Sequence, residues 1–365
     1  MSGALGTVRV VGTGLVGTSL ALALRAKGVD TVLWDPSPSA VALSRDLGAG
    51  RFAAADDEVA LVVVAAPPDV VADVVASELA THPQAVVTDV ASVKAQPLRQ
   101  LTARGVDVSR YVGGHPLAGR ERSGAVAARA DLFTGRPWVL TPAASTDPEA
   151  VELVRRVVEL TGAVVTQMPA DEHDEAVAVV SHVPQVAASL VAARLREVPE
   201  PSVALAGQGL RDVTRIAASD PQLWTQILAG NAAAVARALH ALRDDLDVVI
   251  AAVDALGADS GAEAPGARAA VARVVAAGNE GHARIPGKHG SAPTAYTPVV
   301  VLVPDRPGEL ARLLQAVGDA GVNLEDLRLE HSEGRPMALA EIDVLPAAAA
   351  GLAGSLRAGG WTVHL

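Results

Sequence analysis

The chain is 365 residues long, 50% hydrophobic and 19% charged, more material than one core holds, so two or three domains are expected. A formal net charge of −11 without any Lys/Arg-rich block excludes a nucleic-acid surface, and the absence of Cys excludes disulfides, thiolate metal sites and a Cys nucleophile. Apolar stretches such as Val59 to Ala66 end well short of the ~20 residues of a membrane span and no export signal is visible, so a cytoplasmic protein without a membrane partner is expected.

Val8 to Val11 reads as a buried strand, and Gly12, Gly14 and Gly17 follow it in GxGxxG spacing as a helix runs from Leu15 to Lys27. Together they open a dinucleotide-binding βαβ unit. Gly12 allows the tight turn, Gly14 the approach of backbone to a pyrophosphate and Gly17 the packing of helix on strand. Leu15 and Val16 bring N–H groups at the positive end of the helix dipole. The next strand, Thr31 to Trp34, ends in Asp35, 18 residues after Gly17, near the spacing of roughly 20 at which a carboxylate meets the adenosine ribose. That charge repels a 2′-phosphate and favours NAD, while Ser37, Ser39 and Arg45 leave NADP open.

Further apolar strands at Val59 to Ala66, ending in Pro67, and at Gln84 to Val90, ending before Ser92, alternate with helices at 69–80 and 93–103. This alternation predicts a doubly wound parallel sheet of Rossmann type, with ligands beyond the C-terminal strand ends. Pro67, Ser92 and Gly113-Gly114-His115-Pro116 then lie on the working edge. Strands at Trp138 to Thr141 and Ala163 to Gln167 close this domain, assigned to 1–168.

Residues 169–293 read as an all-α domain. One helix is expected from 172 into the 190s, kinked by Pro184, and another from Asp220 (N-cap) and Pro221 (N1) to Leu256. Such Ala-rich apolar helices suit burial against a second copy, so a homodimer is expected. Gly287 to Thr294 reads as a linker. Residues 294–365 return to strand patterning in the order βαββαβ, a ferredoxin-like fold suited to regulation.

His115, at a strand end, is the natural general base near neutral pH. Ser92 shares the edge, either to bond the same substrate hydroxyl or to cap the following helix. Lys94 is an alternative base. Arg211 and Arg215 are four apart on one helical face, and Arg215 suits bidentate capture of a carboxylate, or else an ion pair with Asp212. The run Asp171-Glu172-His173-Asp174-Glu175 reads as a solvated helix start favoured by the dipole, with no metal site assigned.

Four segments, Gly113 to Gly124, Ser181 to Pro184, Arg211 to Pro221 and Gly278 to Gly290, together resemble the prephenate/arogenate dehydrogenase family of tyrosine biosynthesis. Asp305 to Leu310 and Gly321 to Asn323 resemble an ACT domain, an amino-acid-sensing module. The resemblance implies that NAD takes a hydride from C4 of prephenate while His115 takes the hydroxyl proton and Ser92 orients both. It further implies that Arg215, Arg211, Glu121, Asp212, His182 and Gln185 surround the substrate and that Asp174 reaches the partner's active site. An aromatic amino acid, foremost L-tyrosine, would bind at Asp305, Pro307, Gly308 and Asn323.

One departure stands out: Gln185 occupies a place where many prephenate-specific members carry a second His, which leaves arogenate open as substrate. Two rivals remain, a β-hydroxyacid dehydrogenase with a Lys base and a non-catalytic NAD and amino-acid sensor.

Overall fold

A computed structural model describes residues 5–118, 124–258, 265–286, 296–331 and 336–364. The chain divides into two compact units, residues 1–243 and 244–365. The first contains β1 (Thr7–Val11), α1 (Leu15–Arg25), β2 (Thr31–Trp34), α2 (Pro38–Asp46), β3 (Arg51–Phe52), β4 (Val59–Val64), α3 (Val71–Thr81), β5 (Val86–Asp89), α4 (Ala95–Ala103), β6 (Tyr111–Pro116), β7 (Pro137–Pro142), α5 (Pro148–Leu160) and β8 (Val164–Gln167). Their order in one sheet is β3-β2-β1-β4-β5-β6-β7-β8.

Both faces of this sheet are covered. Leu61 and Val63 of β4 join a core with Leu20, Leu24 and Val154, while Val62 and Val64 join another with Val71, Val75 and Leu101. That double burial is why the central strands are continuous apolar runs and not alternating ones. Strands β1 to β6 are parallel, as expected. The β6–β7 pair is antiparallel, with His115 opposite Val139, and β8 is parallel to β7, so the sheet is mixed.

The glycines follow from local packing. Gly12 has φ +100°, and a Cβ on it would lie 2.3 Å from the Ala65 carbonyl oxygen. A Cβ on Gly17 would lie 1.9 Å from the Gly12 carbonyl oxygen. In β6, a Cβ on Gly113 would meet Thr141 Oγ1 at 2.4 Å and one on Gly114 the Asp89 carbonyl oxygen at 2.6 Å. Only glycine lets β6 approach its neighbours this closely.

Helices follow: α6 (Ala170–Val177), α7 (Val183–Arg194), α8 (Glu200–Val203), α9 (Gln208–Thr214), α10 (Pro221–Gly230), α11 (Ala232–Gly257) and α12 (Ala267–His282). The first of the two expected long helices runs on through a π turn, and the second is interrupted. Between α6 and α7, residues 178–182 form a wide π turn just ahead of Pro184, which has no N–H to give to the preceding turn. The continuous helical run Ala170–Glu197 is long and apolar enough to cross a membrane by length and composition, so the apolar stretches are longer than the sequence suggests. The second helix starts at Asp220, whose carboxylate caps Gln222 N as expected, but breaks at Asn231. A Cβ on Gly230 would crowd Val93 at 3.0 Å, so this break permits close packing on the segment before α4.

The C-terminal strands and helices are β9 (Thr297–Pro304), α13 (Glu309–Asp319), β10 (Asp326–His331), β11 (Met337–Val344), α14 (Pro346–Ala358) and β12 (Thr362–His364). The sheet order β10-β11-β9-β12, antiparallel throughout, is that of a ferredoxin-like βαββαβ fold. Val299, Val301 and Val303 pack against Leu313 and Val317 of α13 and Leu352 and Leu356 of α14.

Candidate active site

The strand order reverses between β1 and β4, and the loops at that point enclose a cavity of about 560 Å³. Gly14, Leu15, Val16 and Gly17 line it from the glycine turn, Pro67 from the end of β4, Ser92 from the end of β5 and Ala118 from beyond β6. Gly14 is the N-cap of α1 without a side-chain cap, and a Cβ there would meet nothing within 4 Å. Its bare backbone therefore borders the cavity and not a packed neighbour. An uncapped helix N-terminus behind a surface without a Cβ fits a dinucleotide pyrophosphate.

Asp35 lies beside this turn at the end of β2. Its Oδ2 accepts hydrogen bonds from Thr13 N at 2.8 Å and Thr13 Oγ1 at 3.1 Å, and its Oδ1 accepts from Ser37 N at 2.9 Å. These bonds fix the carboxylate at the end of β2, beside the glycine turn.

His115 closes β6 and is 8% exposed. Its Nδ1 lies 2.8 Å from Nε2 of His173, whose Nδ1 lies 2.8 Å from Oδ1 of Asp174. The same carboxylate accepts Lys94 N at 2.9 Å and Ala95 N at 3.0 Å at the start of α4. Burial first, and then the repulsion that a protonated ring would meet from the basic groups around it, His173, Lys94 and His182, holds the His115 pKa well below the usual imidazole range. His115 is consequently neutral at pH 7, as a base must be.

Several expectations need correction. Ser92 makes no hydrogen bond to His115: it lines the cavity, and Lys94, not Ser92, is the N-cap of α4. Asp174 does not reach outward to a partner's site, because it is 5% exposed and its carboxylate is used within its own chain. The acidic run is only partly solvated: Asp171, Glu172 and Glu175 are exposed, but His173 is 1% exposed. Asn323 precedes β10 instead of lying on it, and its amide donates to Glu325 Oε1 at 2.8 Å.

Lys94 is a buried strut. Its ammonium pairs with Asp89 and donates to the Gly114 carbonyl at 2.6 Å, while Tyr111 OH donates to Asp89 Oδ2 at 2.6 Å. Burial pushes the Lys94 pKa down against the pull of Asp89. With both partners satisfied inside the protein, Lys94 is not placed to act as the base.

His182 is buried beside Trp224, ring centroids 6.1 Å apart, with Nδ1 3.2 Å from Asn231 Nδ2. Desolvation lowers its pKa to about 4. Gln185 borders a smaller cavity of about 290 Å³ with Ser219 and Trp224, and Ser219 Oγ approaches its Oε1 at 3.5 Å. Arg211 and Asp212 are exposed on α9, Asp212 accepting Gln208 Nε2 at 2.8 Å, and exposed Arg215 begins the tight turn after α9. Glu121 lies outside the described residues.

The sequence reading missed His173 and Asn231. His173 carried a usable signal, since Ala170, His173, Asp174 and Val177 recur at helical spacing and form the inward face of α6. Asn231 carried none. Its Nδ2 donates to the Asp174 carbonyl at 2.7 Å, a contact across 57 residues.

Comparison with known proteins gives a consistent picture. Residues 20–167 match the family model of the prephenate dehydrogenase nucleotide-binding domain, and residues 169–262 match that of the prephenate dehydrogenase dimerization domain. A probable prephenate dehydrogenase of Streptomyces niveus is 39% identical over 361 residues, 98% of this chain and 99% of that protein. Among solved structures, a prephenate dehydrogenase of A. aeolicus in complex with hydroxyphenyl propionate and NAD+ is similar, with a TM-score of 0.66 and 28% identity over 77% of this chain and 99% of that one. An arogenate dehydrogenase of Synechocystis has a TM-score of 0.59 and 28% identity over 75% of this chain and 99% of its own.

Proposed function

This chain belongs to the prephenate dehydrogenase family, and from that premise we propose that it converts prephenate to 4-hydroxyphenylpyruvate by NAD-dependent oxidative decarboxylation in L-tyrosine biosynthesis. The carrying observation is a buried neutral histidine, His115, at the end of β6, three residues before Ala118 in the wall of the dinucleotide cavity. Gly14, Leu15, Val16 and Asp35 would hold NAD, which would supply the hydride acceptor.

His115 takes the C4 hydroxyl proton of prephenate as hydride leaves that carbon. Loss of the ring carboxylate as CO2 then aromatises the ring, and the phenolate oxygen recovers the proton from His115. The base is thus restored with no net proton change, and aromatisation makes the step irreversible. Its demand on the protein is positioning and one base. Ser92, in the cavity wall, is placed in the reading to bond the hydroxyl directly, without acting through His115. Arg215 is assigned to a substrate carboxylate, with Arg211, Asp212, His182, Gln185 and Glu121 around the substrate.

The uncharged Gln185 amide favours arogenate as a second substrate. Steady-state assays with prephenate and arogenate, each with NAD and NADP, test the reading. NADH formation with CO2 release from prephenate supports it, and turnover of neither substrate removes it.

Residues 169–293 are proposed as the dimerisation and substrate domain, with a second copy of the chain covering apolar residues such as Val180, Leu190 and Leu223, which are exposed here. The apolar run Ala170–Glu197 falls within the stretch that matches the dimerization-domain family model, and its apolar face is assigned to subunit contact. Residues 294–365 are proposed as an ACT domain for an aromatic amino-acid effector, its carboxylate received by the turn of Asp305, Pro307 and Gly308 at the α13 N-terminus, where Gly308 has φ +91°, and its ammonium by Asn323. A cytoplasmic location fits a Cys-free enzyme of biosynthesis.

A further inference from the structure

We infer that His173 and Asp174 act as a positioning pair that fixes the tautomer of His115, leaving its Nε2 as the lone-pair nitrogen. This rests on the reading of His115 as the base and adds the device that makes it one.

The donors and acceptors along these contacts place each proton. A carboxylate only accepts. Asp174 already accepts the backbone N–H groups of Lys94 and Ala95 at the start of α4, where the helix dipole favours negative charge. Its 2.8 Å contact with His173 Nδ1 therefore requires the proton to be on that nitrogen. A neutral His173 then has its lone pair on Nε2, which can only accept. The 2.8 Å contact to His115 requires in turn that His115 Nδ1 be the donor. A neutral imidazole carries one proton, so His115 Nε2 is the basic atom. That nitrogen has no hydrogen-bond partner among the described residues and is not among the fully buried, unpaired atoms.

Without the pair, a neutral imidazole is free to place its proton on Nε2 and lose its ability to accept one. The two rings meet edge to face at 76°, so the contact orients the His115 ring as well as its proton. Asn231 anchors the other end by donating to the Asp174 backbone carbonyl.

The test is nitrogen-15 NMR of histidine-labelled protein at neutral pH, with His115 assigned by difference against His115→Asn. The expected spectrum shows His115 protonated on Nδ1 and bare on Nε2. A wild-type spectrum with the proton on Nε2 overturns the inference without need of any further variant. His173→Phe removes the acceptor and is expected to lose that signature and to lower kcat for prephenate by about 10- to 1,000-fold, with KM and NAD affinity within about twofold. His173→Gln, whose amide oxygen can accept the same proton, is expected to recover at least about tenfold of that loss. Unaltered tautomer and turnover in His173→Phe overturn the positioning role while leaving the base reading intact. Full turnover in His115→Asn defeats the base reading itself.

Discussion

Lys94 Nζ donates to the carbonyl oxygen of Gly114 at 2.6 Å, one residue before His115, from a position 1% exposed to solvent. The same ammonium pairs with buried Asp89, which also accepts Tyr111 OH. The end of β5, the entry to α4 and the strand bearing His115 are thereby joined at one point. Replacing Lys94 with Met leaves Asp89 as an uncompensated buried charge, which costs about 3–5 kcal/mol. A large drop in thermal midpoint is expected for Lys94→Met, with part of it recovered in the double variant Lys94→Met/Asp89→Asn. Equal stability of wild type and Lys94→Met would show that the pair is not a strut.

Asp35 is proposed to set the choice of dinucleotide. Its carboxylate is fixed by Thr13 N and Ser37 N, so a 2′-phosphate placed at the end of β2 meets a charge that cannot swing away. Asp35→Ser is expected to shift relative kcat/KM toward NADP by about tenfold or more, a change of ~1.4 kcal/mol. An unchanged NADP to NAD ratio would separate Asp35 from the ribose site.

Acid should destabilise the fold through its buried histidines. His115 and His182 are held neutral, with the His182 pKa lowered to about 4. Above about pH 6.5, the ordinary value, folded and unfolded chains both carry neutral imidazole and neither residue alters stability. Below it the unfolded chain binds protons that the folded chain refuses, so stability falls as pH drops, by up to ~1.4 kcal/mol per pH unit for each such group. For His182 the loss runs from about pH 6.5 to about 4. Chemical denaturation at pH 7, 6 and 5 is expected to show this decline, and a shallower one in His182→Asn. Identical slopes in the two proteins would mean that His182 is not held neutral.

How much the sequence disclosed depended on the range of the interactions involved. The glycine turn, the strand ends at Pro67, Ser92 and His115 and the Asp220 cap are local patterns, and the structure places each at the edge or helix start expected of it. Contacts across long separations were hidden. The reversal of β7 is a matter of its antiparallel pairing with β6, which composition does not encode. Asp174 read as one carboxylate in a solvated acidic run because its partners, Lys94 N and Ala95 N, are 80 and 79 residues away. The helix break at Asn231 has no proline to announce it, and the glycine before it packs against residues far away in sequence, where a Cβ would meet Gln96 Oε1 at 2.9 Å and Val93 at 3.0 Å. Adjacent strand ends suggest a Ser92–His115 contact, whereas His115 Nδ1 is paired with His173, 58 residues away.

The most direct test of the central claim is the kcat of His115→Asn with prephenate and NAD, measured beside its NAD dissociation constant. A fall of about two to four decades in kcat with NAD binding unaltered is the expected result, the scale of a lost general base. Turnover equal to wild type in a folded, NAD-binding variant would contradict the assignment of His115.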